Sequence, residues 1–325
     1  MQIKINKQKI LTFTQILLLV MPLLLCILIF TLIPIYNTFE KSLKFHPYES
    51  NKTIYQINLG NYNNILHDPS FKSAILNTTI TLFLGTGVSM ILALIFAIAV
   101  EHLIAKRARS AFLSLIYSQF FISSFAVGIA FTLFFGSKGV FFRLIGAPTY
   151  GFTANENRLP IWLYYSLFQV WRSLPFNLVL FASAINRGKM KYSKLAINDN
   201  LNTWQRFRFI YLNEISKVFF AILFTNFIFA SLLLPEAILE PTYNIDVEKA
   251  HTLTSYTIKF MGGGNYGVVT KYEKGYAAAF FSFIYLVFLL IVVLALRPSF
   301  IRKMYKKIKN FATKIKIRKD LKHEL

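Results

Sequence analysis

The chain has 325 residues; 55% are hydrophobic, 34 of them Phe, and only 15% are charged, where a typical globular domain carries about 25%. The formal net charge is nevertheless +22. A soluble fold could not hide this much apolar surface, so the solvent for much of the chain is lipid, and the composition excludes a disordered chain, a collagen-like repeat and a secreted disulfide scaffold. The lone cysteine, Cys26, permits neither an internal disulfide nor a cysteine-based metal site.

A bilayer core about 30 Å thick needs about 20 mostly apolar residues per helix. Six segments meet that test: 15–36, 74–100, 111–136, 161–186, 218–239 and 275–296. The expected fold is therefore all-α, a polytopic membrane protein with six transmembrane helices in one domain over 15–296. The first segment follows Lys4, Lys7 and Lys9 as a signal peptide would. Its apolar run is longer than a signal core and no small-residue cleavage site follows, so it reads as a retained helix. With segment 1–14 placed inside the cell, the inner segments 1–14, 101–110, 187–217 and 297–325 hold 24 Lys and Arg and the outer segments 11; Arg172 lies within the fourth helix. The bias places both termini in the cytoplasm.

Between the helices, the outer segment 37–73 is Asn-rich, with turn chemistry at Gly60-Asn61 and Asp68-Pro69. The inner segment 187–217 is patterned. Tyr192 to Ile197 reads as a short helix and Asn198-Asp199-Asn200 as a turn. Asn202 with Gln205 then forms a capping-box pattern opening a helix from Thr203 to about Leu212. Trp204, Phe207 and Ile210 share a face at spacings of three. Two readings stand: a rigid helix–turn–helix knob, or an amphipathic loop lying on the surface. The outer segment 240–274 holds Gly262-Gly263-Gly264-Asn265-Tyr266-Gly267, which satisfies G-x-G-x-x-G without the strand and βαβ unit a dinucleotide site requires; it reads as a flexible turn. No P-loop occurs. The tail 297–325 carries 11 Lys and Arg with apolar residues at helical spacing, a basic amphipathic helix for the anionic inner leaflet rather than for nucleic acid.

These stretches together resemble the membrane-spanning permease subunit of binding-protein-dependent ABC importers of the carbohydrate-uptake class. Gly60-Asn61-Tyr62, Leu66, Asp68-Pro69, Phe71, Ala74 and Asn77-Thr78 are similar to that family's entry to its second helix. Trp171-Arg172, Phe176-Asn177 and Leu180-Phe181 resemble its fourth. Ala196, Asp199, Trp204-Gln205, Phe207, Ile210, Leu212 and Ile215 fall on its "EAA…DGA…WQ.F..I.LP.I" cytoplasmic motif, and Gly275-Tyr276-Ala277 on the opening of its last helix. The likeness covers roughly residues 15–296. It departs where Lys194 replaces the motif glutamate, Leu195 the first alanine, Asn200 the glycine and Asn213 the proline; Asn tolerates the left-handed backbone that a turn glycine serves.

The resemblance implies a type I ABC importer permease fold in the cell (plasma) membrane, crossing it several times. It implies as partners a second permease subunit, identical or different, an ATP-binding subunit dimer, an extracytoplasmic solute-binding protein and the lipid bilayer. ATP and Mg would be bound by the ATPase chain, with no cofactor in this one. Ala196, Asp199, Asn200, Trp204, Gln205 and Phe207 would couple to the ATPase. The solute would be a sugar or glycerol-3-phosphate-like molecule. Arg172, mid-membrane, is either a group for an anionic solute or a structural partner of Glu236 or of carbonyls near Pro175; Gln169, Asn177 and Asn226 are further pathway candidates that also suit helix–helix hydrogen bonding. A secondary transporter or channel is the rival reading, but Glu236 is the one acidic residue within the six segments and no internal repeat is visible. The five histidines, His46, His67, His102, His251 and His323, are scattered without a metal-ligating or catalytic spacing.

Overall fold

The computed structural model describes residues 7–47, 54–103, 105–136, 139–154, 157–262 and 271–295. The basic tail, residues 1–6 and Gly263 to Gly267 of the glycine motif lie outside the described residues. The chain is mostly helical. In order come α1 (Lys7–Ile27) and α2 (Ile33–Ser42), joined by a π-helical turn at Leu28–Leu32; β1 (Lys44–Phe45) and β2 (Gln56–Ile57), an antiparallel pair; α3 (Gly60–His67); and α4 (Pro69–Ile80). A second π-helical turn at Thr81–Gly85 leads to α5 (Thr86–Leu103), α6 (Lys106–Ser118), α7 (Ser124–Phe135) and α8 (Val140–Leu144). The parallel pair β3 (Tyr150–Gly151) and β4 (Asn157–Arg158) precedes α9 (Ile161–Asn198). Then follow α10 (Thr203–Arg206), a π-helical turn at Phe207–Tyr211, α11 (Leu212–Ser231), α12 (Leu253–Phe260) and α13 (Tyr272–Ala295).

Among the described residues, four helical stretches are long and apolar enough to cross a membrane: Thr14–Ser42, Pro69–Glu101, Thr203–Ser231 and Tyr272–Ala295. The other two expected segments look different. Segment 111–136 is two helices, because Gln119–Phe121 tightens into a 3₁₀ turn and Ile122 is extended (φ −78°, ψ 135°) before α7 begins. Segment 161–186 is helical throughout but belongs to a single 38-residue helix, so the short helix expected at 192–197 is the end of α9. Likewise the helix opening at Thr203 runs on into α11, which stops at Ser231 rather than 239. Pro235 holds Leu234 extended (φ −109°, ψ 107°), and a 3₁₀ turn at Pro235–Ala237 follows.

The chain divides into two compact units within the range expected to form one domain. The first comprises Met1–Ile75 and Ile245–Phe281. There, Asn61 Nδ2 donates to the carbonyls of Ser42 (3.0 Å) and Lys44 (2.9 Å), and Tyr62 and Ser42 share a 2.6 Å hydroxyl hydrogen bond, so the end of α2 is tied to α3. Asp68 opens α4 by accepting the Ser70 N–H (2.9 Å), with Pro69 at the first helical position, where its missing donor costs nothing. Phe71 packs between Tyr256 and Phe281, with ring centroids 4.9 and 5.3 Å away.

The second unit comprises Leu76–Asn244 and Ser282–Leu325. Its core packs α5, α9 and α11 around Met90, Leu178, Phe181, Ile185, Ile215 and Ile222. An aromatic cluster of Phe131, Phe135, Phe152, Tyr164 and Phe168 fills the space between α7 and the start of α9. Tyr164 OH donates to the carbonyl of Ile238 (2.6 Å), which Thr132 Oγ1 also reaches at 2.8 Å. The close approach at α7 explains Gly128: a Cβ there would lie 2.5 Å from the carbonyl oxygen of Ala237.

Candidate functional site

The turn between α9 and α10 is fixed by its own backbone. Asn200 adopts the left-handed conformation (φ 47°). Its N–H donates to the Ile197 carbonyl (3.1 Å), and the Leu201 N–H donates to that of Ala196 (3.0 Å). This is a Schellman termination, which brings the residue after the left-handed position onto the one four residues before it. Ala196, 3% exposed, and Leu201 accordingly meet in the core. Asn200 thus fills the glycine position of the motif at the cost that residue types tolerant of positive φ keep small. The expected cap is present: the Gln205 N–H donates to Asn202 Oδ1 (2.8 Å) and the Asn202 N–H to Gln205 Oε1 (3.0 Å). Arg206 Nε donates to the Leu201 carbonyl (2.8 Å), closing the turn from the other side.

The outer surface of this turn is apolar. Trp204 is 67% exposed and stacks on Phe207, with ring centroids 5.7 Å apart; Ile197 is 69% and Leu195 58% exposed. Asp199, Asn200 and Gln205 are exposed, while Phe207 and Ile210 turn inward. Of the residues read as coupling groups, Ala196 packs the turn from inside. Leu195 and Ile197, not singled out in the sequence, take the outward positions, because the helix phase of α9 is set by burying Ala196. Behind the turn, a Cβ on Gly188 would come within 3.2 Å of Ile210 and 3.3 Å of Glu214, so α9 and the helix entering α11 cross closely at its base.

The polar pathway candidates converge on one another. Asn177 and Asn226 exchange hydrogen bonds (2.6 and 3.2 Å), and Asn226 Nδ2 also reaches the Ile222 carbonyl (2.8 Å). Gln169 Nε2 donates to the Asn226 carbonyl (3.1 Å), Asn177 Nδ2 to Ser89 Oγ (2.9 Å), and Ser89 and Ser173 share a 2.6 Å hydrogen bond. All five side chains are wholly buried. The network ties α5, α9 and α11 together from within; Ser89 and Ser173 were invisible as members, since a lone serine in an apolar run has no pattern of its own. Arg172 stands apart. Its guanidinium lies 4.7 Å over the Phe229 ring, and no carboxylate pairs with it among the described residues. A cavity of about 540 Å³ opens beside α5 and α11, lined by Leu82, Phe83, Phe219, Phe220, Leu223 and Phe227. Its polar side chains are the hydroxyls of Thr86 and Ser216, and none of the four pathway candidates lines it.

Two further charged clusters were not legible in the sequence. Glu101, at the end of α5, pairs with Arg109 of α6, and Lys189 Nζ donates to the Glu101 carbonyl (3.3 Å), anchoring this junction on α9. In the first unit, Tyr256 OH donates to Asp68 Oδ2 (2.6 Å), while Asp246 Oδ1 meets Lys259 and the buried His251 (Nε2, 2.9 Å). Burial alone would raise both carboxyls. For Asp68 the hydrogen bonds from Tyr256 and Ser70 with the charges of Lys274 and Lys259 outweigh it; for Asp246 Lys259 and His251 do, so both stay below the ordinary carboxylate range. The Tyr256 phenol is pushed up, first by burial and then by the Asp68 carboxylate it serves.

No family model matches the chain. Over 198 residues it is 22% identical to a probable ABC transporter permease protein of Mycoplasma genitalium, a match spanning 58% of each chain. In three dimensions it is similar to a bacterial ABC transporter involved in the import of the acidic polysaccharide alginate. The TM-score is 0.62 at 19% identity, covering 89% of this chain and 94% of the other. A bacterial alginate ABC transporter in complex with an alginate pentasaccharide-bound periplasmic protein matches with a TM-score of 0.61, at the same identity and coverage. The chain shares the fold of these ABC transporter chains.

Proposed function

We propose that the chain is a permease subunit of a binding-protein-dependent ABC importer, a multi-pass protein of the plasma membrane with six spans and both termini in the cytoplasm. One observation carries this reading: a doubly capped, stiff turn at the end of α9 presents Trp204 and Ile197 outward, on a chain whose fold matches importer chains along nearly its whole length. Such a turn has the stiffness to transmit a push and no group for bond chemistry. ATP and Mg belong to an ATPase dimer that receives the turn, a second permease subunit completes the pathway, and an extracytoplasmic binding protein delivers solute. The alginate importer and its periplasmic protein support the last partner and a carbohydrate class of solute. Arg172, a cation without a carboxylate partner among the described residues, favours an anionic member of that class, such as an acidic sugar or a glycerol phosphate.

The test is uptake by the assembled importer carrying Ile197→Asp. A charge at this exposed position should leave folding intact and lower solute-stimulated ATP hydrolysis and uptake more than tenfold. Unchanged uptake with normal membrane insertion would reject the coupling role of the turn.

A further inference from the structure

Two glycines lie two residues apart where the second π-helical turn meets α5, and packing within the chain explains one of them. A Cβ on Gly85 would lie 2.9 Å from the Cβ of Gln169, so its smallness lets α9 approach. A Cβ on Gly87 would meet no packing neighbour within 4 Å among the described residues. Glycine inside a helix is destabilising relative to alanine, and in membrane helices small residues mark places where something packs closely. Gly87 lines the cavity of about 540 Å³ beside α11, a volume typical of ligand sites. This cavity is a slot with a floor and a rim: Leu82, Ile215 and Phe227 are buried, while Phe83, Leu212 and Phe219 stand exposed around them. It follows α11 from Leu212 to Phe227, about 22 Å at 1.5 Å per residue. One leaflet of a bilayer core roughly 30 Å thick is about 15 Å deep, so the slot covers a leaflet and its mouth reaches the headgroup layer. Around the mouth, Asn213 and Ser216 are exposed, and over 206–217 Arg206, Arg208 and Lys217 outnumber the one acid, Glu214.

We infer that the slot is a lipid site: it holds one acyl chain of a cytoplasmic-leaflet phospholipid against Gly87, with the phosphate at the Leu212 end. The inference uses one part of the permease reading, that α11 crosses the bilayer with its first turn on the cytoplasmic side. The positive balance at the mouth complements a phosphate. A neighbouring helix fits the slot poorly. With side chains a helix is about 10 Å across, and close helix contacts in membranes are lined by small residues, whereas Phe83, Phe219 and Phe220 stand along this opening. An acyl chain is narrow and flexible enough to thread between aromatic rings. It would also differ from the lipid that wets an open helix face such as that of Leu19 and Phe30. In the slot the chain touches α5, α11 and, through Val293, α13, and each added atomic contact holds it more firmly.

The experiment places the full chain in nanodiscs of phosphatidylglycerol in which a fraction of the acyl chains carries a photoreactive diazirine, and maps the label by mass spectrometry. Label should concentrate at Gly87 and over 219–227, above its density at the exposed Leu19 and Phe30. Gly87→Phe, whose ring enters open space, should lower the slot label about tenfold by displacing methylene groups from it, and leave the label at Leu19 and Phe30 unchanged. Its thermal melt should hold or rise. Ser216→Phe blocks the slot a second way, from an exposed position that cannot disturb the core, and should lower the same label. Label spread evenly over the slot and the first span, unmoved by either variant, is ordinary lipid contact and overturns the inference. Loss of the slot label when a second permease subunit is reconstituted with the chain assigns the slot to a subunit contact and overturns it as well. Both of those results leave the permease reading standing; a chain that does not enter nanodiscs at all would sink that reading too.

Discussion

The two halves of α9 invert the usual distribution of polarity. In its first half, Gln169, Ser173 and Asn177 are wholly buried and polar; at its far end, Leu195 and Ile197 are exposed and apolar. In a solvent of lipid an unpaired amide is costly, so polar groups turn inward and pair with one another across α5, α9 and α11, with Gln169 Oε1 left without a partner among the described residues. Beyond the apolar span the pressure reverses, and Leu195, Ile197 and Trp204 are exposed together, the kind of apolar patch that marks an interaction surface where single exposed residues would not. The first half holds helices at fixed spacing; in the proposed function the second meets a partner. A single continuous helix joins them.

This contrast can be broken at specific positions. The largest expected effect is Ala196→Arg, which forces a long cation into the packed inside of the turn and should cost about 3 kcal/mol. It should appear as a lowered melting temperature, with uptake lost through misfolding, in contrast to the outward Ile197→Asp. Next is Asn226→Leu in the buried network, which strands the Asn177 side-chain oxygen that Asn226 Nδ2 serves and removes an acceptor of the Asn177 amide; the expected loss is about 1–2 kcal/mol, measured by thermal unfolding in detergent. Asn200→Val should cost about 1–2 kcal/mol, because a β-branched residue resists φ 47°, while Asn200→Gly should be neutral or stabilising in the same melt.

The smallest effect lies outside this helix and serves as its control. Asp68 and Asp246 have depressed carboxyl pKa values in the folded chain, so their stabilisation is fully present above the unfolded value of about 4 and is lost as pH falls through the folded values. The melting temperature should therefore hold from neutral pH to about pH 5 and then drop, and Asp246→Asn should flatten that drop. A decline beginning near pH 6 instead would point to histidine protonation.

Much of the fold was legible because membrane spans advertise themselves by length. The segments opening near residues 15, 74 and 275 lie within helices long and apolar enough to cross. Where expectation and structure diverge, the backbone turns locally: a 3₁₀ turn and an extended Ile122 interrupt 111–136, and Pro235 follows the early end of α11. The capping box at Asn202 and Gln205 and the left-handed tolerance of Asn200 were legible for the same reason that the spans were, since each depends on neighbours a few residues apart. The outward set of the turn was not. Ala196 matched a motif and looked like a contact residue, but which face of α9 is buried depends on what packs against it.

Sequence alone therefore determined the lipid-dominated composition, the charge bias and the capped turn, because periodicity, transfer from water and hydrogen bonds within one helical turn are properties of contiguous residues. Tertiary structure decided that Gln169 and Asn177 would meet Asn226, 57 and 49 residues further along the chain. It also set Ala196 inward with Ile197 outward, since helix phase and long-range pairing are fixed only when packed neighbours compete for the same buried space.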